Sequence, residues 1–273
     1  MVQLDQSDMA EQPKNNERSC VPGFSAALWL DLRDLGAVDD VSIGRAGGKA
    51  ANLARLIRLG LPTPSAVVLT TDAWNLFLRE AGIAGRLEAV LNDFKDNPEE
   101  VDGPARRIAA LINGAEMPAA LNEEIACAYR DLSGDGAHSV AIRSSGSLED
   151  SAVASFSGML STVLGVRDLD QVSQAVRKCW ISGFSVRSLR YLARMGLDPC
   201  GMGMALIFQR MVQAKSSGVL FTVDPATGDP ETAVLEAAYG YGPGVVSGNI
   251  TPDLYRISKE TLEILHRDSR PQE

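Results

Sequence analysis

Histidine is almost missing from these 273 residues: His138 and His266 are the only two, and neither stands beside another candidate ligand. Histidine-based metal chemistry therefore finds no support, and no metal-ligating set is expected. The four cysteines, Cys20, Cys127, Cys179 and Cys200, include no C-x-x-C spacing, which excludes an obvious zinc knuckle or redox pair. Long apolar runs are also lacking. No stretch approaches the roughly 18–20 residues of a membrane span, and the polar opening MVQLDQSDMAEQPKNNERSC has no signal-peptide core, so a cytoplasmic chain is expected. Basic charge is in deficit too, with 26 Lys and Arg against 35 Asp and Glu and a net charge of −9. That argues against duplex DNA or an anionic membrane as the main partner, and any anionic ligand needs a locally basic site.

What is present is an ordinary globular composition, 45% hydrophobic and 22% charged, long enough for one large domain or two small ones. Residues 1–25 read as a polar, mobile tail. Ala50, Leu53, Leu56 and Ile57 share a helical face over residues 47–59, with Gly60 as a left-handed stop and Pro62 blocking continuation. A strand is expected at 65–70, then a helix to about 80, then broken helical scaffold over 84–132. Beyond it come strands at 139–143 and 159–166, separated by a Ser/Gly-rich loop, and one or two helices over 168–195. Further strands are expected at 202–212, 218–223, 232–238 and 254–258, with residues 260–273 as a short helical turn and charged tail. Helices followed by clustered strands indicate an α+β chain in two lobes.

Four places carry residues suited to chemistry. Gly47-Gly48-Lys49 opens a helix, where free N–H groups, the positive dipole end and a lysine suit a phosphate; a glycine-rich entry with a solvated lysine is the plainer alternative. It is not a P-loop, because Ile43 and Ala50 stand where Gly and Ser/Thr are required. Arg143 closes a strand ahead of Ser144 and Ser145, which open a loop. The arginine can fork two hydrogen bonds to an anion, or pair internally with Glu149 or Asp150. Gln209, Met211 and Val212 lie on an apolar strand that can offer backbone groups to an adenine edge, or simply join the core. Glu236 sits inside another apolar strand, where a buried carboxylate must be functional or tied to an arginine.

In order and spacing these motifs resemble the ATP-grasp-type nucleotide-binding domain of the phosphoenolpyruvate synthase and pyruvate phosphate dikinase family, which includes rifampicin phosphotransferase. The likeness rests on GGKAANL at 47–53, GLPTP at 60–64, Arg143-Ser144-Ser145 with Glu149-Asp150, ASFSG at 154–158, QRMV at 209–212, SGVLFT at 217–222 with Asp224-Pro225, and VVSG at 245–248. It implies a two-lobed ATP-grasp fold, with residues 26–136 as the phosphate-binding lobe and 137–273 as the sheet lobe. It further implies that Lys49 and Arg143 grip the phosphates and that Gly158 and Thr162 lie in a lid over them. Gln209 and the Met211-Val212 backbone would hold the adenine, with Glu236 close to the nucleotide. The implied chemistry is phosphoryl transfer from ATP with Mg2+ to a histidine on another domain or chain. The family's D-x-E and Q-x-R metal-binding residues have no counterpart up to Glu273, so the isolated chain is expected to be incomplete for catalysis. A non-catalytic nucleotide-binding module, or a truncated gene remnant, is the alternative.

Overall fold

The computed structural model describes residues 28–32, 44–134, 136–147, 158–246, 248 and 250–269. The expected tail at 1–25, Glu149, Asp150 and residues 154–157 fall outside these ranges. Two compact units are formed, Met1–Met211 and Val212–Glu273.

The first unit is built on an antiparallel sheet of β1 (Trp29–Asp31), β2 (Ala66–Leu69), β3 (Val140–Gly146), β4 (Thr162–Val166) and β5 (Met204–Arg210), in the order β1-β2-β5-β3-β4. It therefore takes strands from both sides of residue 136. Its helices are α1 (Gly48–Arg58), α2 (Thr71–Glu80), α3 (Ala84–Asp96), α4 (Asp102–Gly114), α5 (Ala119–Ser133), α6 (Leu169–Ser182) and α7 (Val186–Met195). The central strand, MALIFQR, is apolar at successive positions because both faces of the sheet are covered.

The two covers differ. Leu206 and Phe208 point into a large core that includes Trp74 and Phe77 of α2, Trp180 of α6 and Phe184. Those rings lie close, with Phe77 and Trp180 centroids 4.8 Å apart and Trp74 and Trp180 5.3 Å apart. Each such side chain contributes about 1.5–3 kcal/mol on burial. Ala205 and Ile207 point the other way, into a small cluster with Ala66, Val68, Leu32, Ala46, and Ala50 and Ala54 of α1. Alanines on α1 let its backbone lie near the strands.

Helix ends follow local chemistry. Gly60, at φ 70, turns the chain out of α1 as expected. The stretch 168–195 is two helices: Asp168 caps α6 by accepting from Gln171 N at 2.8 Å, Ser185 caps α7 by accepting from Ser188 N, and Gly196 ends it at φ 63. One expectation is corrected here. β3 does not stop at Arg143 but runs through Ser144, Ser145 and Gly146, all buried. Ladder pairing to β5 and cover from both sides outweigh the loop preference of consecutive serines.

The second unit is an antiparallel meander, β6 (Ser216–Phe221), β7 (Thr232–Tyr239), β8 (Asp253–Ser258) and β9 (Ile264–Asp268), with the short α8 (Pro243–Val246) after β7. The turn between β6 and β7 is held by Asp224, which accepts from Ala226 N at 2.9 Å and faces Arg256 Nε at 3.4 Å. Residues 264–268 correct the expected helical turn. Ser258 O accepts from Leu262 N, Ser258 N donates to Glu263 O, and Leu262 turns the chain at φ 60. The hairpin supplies β8 as a partner for backbone groups that so short a helix leaves unpaired. Among the described residues no helix is long and apolar enough to cross a membrane.

Candidate functional site

Strand alternation places Ala141, Arg143 and Ser145 of β3 on the face that α1 covers, beside Ala205, Ile207 and Gln209 of β5. Arg143, which is half-buried, donates from Nη1 to Gln209 Oε1 at 3.0 Å. Lys49, in the first turn of α1, donates from Nζ to Ser144 O at 3.2 Å, next along the backbone from Arg143. Three residues distant in sequence, Lys49, Arg143 and Gln209, are thus drawn to the middle of β3 and its neighbour β5. Two cations and an amide so placed suit a multiply charged oxyanion.

The two serines that follow Arg143 use their hydroxyls within the fold. Ser144 Oγ donates to Ser161 O at 2.7 Å, and Ser145 Oγ accepts from Ala50 N at 3.2 Å; both residues are 0% exposed. Their hydroxyls join β3 to the residue before β4 and to α1. Behind them, on the aromatic side, Cys179 lies 3.4 Å from Ile142 O, and burial pushes its thiol up to about 12. It stays a neutral packing group at physiological pH.

Thr162 begins β4 opposite Arg143, on the same face, and is exposed. Gly158 is exposed at φ 69, and its carbonyl accepts from Arg187 Nη1 at 3.2 Å. Met211 follows β5, donating its N–H to Ser139 O at 2.9 Å, while its Sδ lies 2.9 Å from Gly165 N. The unit boundary falls between Met211 and Val212, and Val212 O accepts from Ala214 N at 2.9 Å. Glu236, in the second unit, lies on β7 opposite Val219 and Leu254. It is half-buried, which corrects the expectation of a buried acid: the meander leaves water access along this part of β7, so its charge does not require an arginine partner. Among the described residues no three His, Cys, Asp or Glu side chains converge as a metal site.

Sequence reading singled out Gly47 but not the contact it makes. This residue precedes α1 at φ 78, and a Cβ there would stand 2.3 Å from Ser145 Oγ and 2.4 Å from Ser145 O. Only glycine permits that approach. Its sequence signal, Gly-Gly at a helix start, was visible; the strand it meets was not.

Comparison with known proteins identifies the family. A family model described as pyruvate phosphate dikinase, AMP/ATP-binding domain, matches residues 43–273. The chain is 36% identical over 243 residues to a probable phosphoenolpyruvate synthase of Methanocaldococcus jannaschii, covering 88% of this chain and 20% of that protein. It is 37% identical over 245 residues to the phosphoenolpyruvate synthase of Aeropyrum pernix, covering 87% and 29%. To a rifampicin phosphotransferase of Streptomyces it is 36% identical over 238 residues, covering 86% and 27%. The chain thus spans less than a third of the length of each of these relatives. Matched along nearly all of its described sequence, it belongs to the pyruvate phosphate dikinase AMP/ATP-binding domain family.

Proposed function

We propose that this chain is the ATP-binding component of a phosphoenolpyruvate synthase or pyruvate phosphate dikinase-like phosphotransferase, holding ATP for phosphoryl transfer to a histidine on another domain or chain. The observation that carries this reading is the gathering of Lys49, Arg143 and Gln209 about the middle of β3 in a chain of net charge −9. Lys49 brings a point charge and Arg143 a fork of N–H donors to the phosphates, neutralising charge that develops as a phosphoryl group departs. Gly158 and Thr162 lie over the phosphates in this reading. For adenine, Met211 N–H and Val212 C=O already have partners. The peptide between them aims its C=O and N–H in opposite directions, so it supplies one adenine bond and another group supplies the second. The phosphoryl group passes from ATP to a histidine of another domain or chain, the nucleotide product leaving, and no step is assigned to magnesium.

The reading is tested by calorimetric titration of the chain with ATP, with and without Mg2+. Lys49→Ala and Arg143→Ala each weaken binding about tenfold or more, since each removes a charged contact worth ~1.5–3 kcal/mol. Full-strength ATP binding by both variants rejects the site.

A further inference from the structure

We infer that Ser145 is a positioning residue: its buried hydroxyl clamps the start of α1 onto β3 and so sets the spacing of Lys49 and Arg143. This inference rests on the nucleotide reading above and names what holds that site in shape. A helix leaves its first N–H groups without intrahelical partners, and a side chain at the capping position normally takes the one three residues on. Gly47 occupies the capping position of α1 and has no side chain to offer. The N–H three residues on, Ala50 N, goes instead to Ser145 Oγ, a strand residue 95 positions away, at 3.2 Å. Two further observations make this a clamp. Gly47 approaches Ser145 so closely that an added Cβ would lie 2.3–2.5 Å from its hydroxyl and backbone. Lys49 lies between Gly47 and Ala50 along the chain, and its ammonium reaches Ser144 O on the same strand end. Arg143 is two residues from Ser145 and shares its face of β3. Ser145 is 0% exposed, so its hydroxyl acts on a ligand only through these neighbours.

The test is a double-mutant cycle with three titrants, ATP, inorganic tripolyphosphate and adenosine, on the full chain. Ser145→Ala weakens ATP and tripolyphosphate about tenfold and leaves adenosine within about twofold, because the clamp sets the phosphate end alone. In a Lys49→Ala background the same change costs less than about twofold, since the group it positions is gone. A purely structural hydroxyl gives another pattern, with equal losses for all three titrants and the full tenfold loss retained without Lys49; either result overturns the inference while leaving the nucleotide site standing. A parent chain that binds no ATP overturns the nucleotide reading and this inference together. Should Ser145→Ala not fold, Ser145→Cys keeps the volume, weakens the acceptor and is read in the same cycle.

Discussion

The two faces of the first unit's sheet are built to opposite specifications. One is packed by α2, α6 and their aromatic rings, with Phe77, Trp180, Phe184 and Phe208 wholly or almost wholly buried. The other is covered by α1 through alanines, and on that face Arg143 and Gln209 meet. Stability is concentrated on the aromatic side. The alanine side gives up burial so that a helix start can approach a strand end, which is what a small polar site requires.

Breaking the aromatic side has the largest effect. Phe208→Ala, at a 0% exposed position 5.3 Å from the Trp29 ring, lowers unfolding free energy by about 3–5 kcal/mol in urea titration. Gly47→Ala comes next: a positive φ and the collision with Ser145 cost about 2 kcal/mol, and ATP binding disappears from calorimetry although no ligand group was removed. If Gly47→Ala binds ATP normally, the close seating of α1 has no bearing on the site. Gln209→Ala removes the acceptor that orients Arg143 and weakens ATP about tenfold, with a melting temperature near that of the parent.

The two smallest effects sharpen the contrast. Cys179, on the aromatic side, has its thiol raised from 9.0 to about 12 by burial. The folded state keeps this proton to higher pH than the unfolded state does, so the contribution is whole below pH 9.0 and is lost as pH rises toward about 12. Between about pH 8 and pH 10 the parent therefore loses roughly 1 kcal/mol more stability than Cys179→Ala, read as the difference between two urea series. Arg45, ahead of α1, and Asp72, in the first turn of α2, pair at 3.1 Å with 37% and 44% of their side chains exposed. Asp72→Asn changes stability by less than about 1 kcal/mol in thermal unfolding.

How much of this was legible depended on whether the deciding partner lay nearby in the chain. α1 was legible because its apolar spacing, Gly60 and Pro62 are local signals. The end of β3 was not: Ser144-Ser145 reads as a loop until β5 pairs with it residue by residue. β9 was misread because a short mixed stretch fits helix and strand equally, and only β8 decides between them. Lys49, Arg143 and Gln209 were each singled out, but nothing in the sequence placed Arg143 Nη1 on Gln209 Oε1, because that contact depends on the register of strands 66 residues apart. Glu236 looked buried from its apolar neighbours; how far a sheet face is covered depends on what the rest of the chain lays over it.

The aromatic packing also decides what light can report. The three tryptophans, Trp29, Trp74 and Trp180, all lie in the first unit, and the second unit has only tyrosines such as Tyr239, Tyr241 and Tyr255 as its emitters. Emission excited at the red edge of the band follows the first unit alone, so a cooperative melt recorded that way says nothing about the meander. Recorded beside far-ultraviolet dichroism, which sees both units, it becomes a direct measure of whether the two unfold as one.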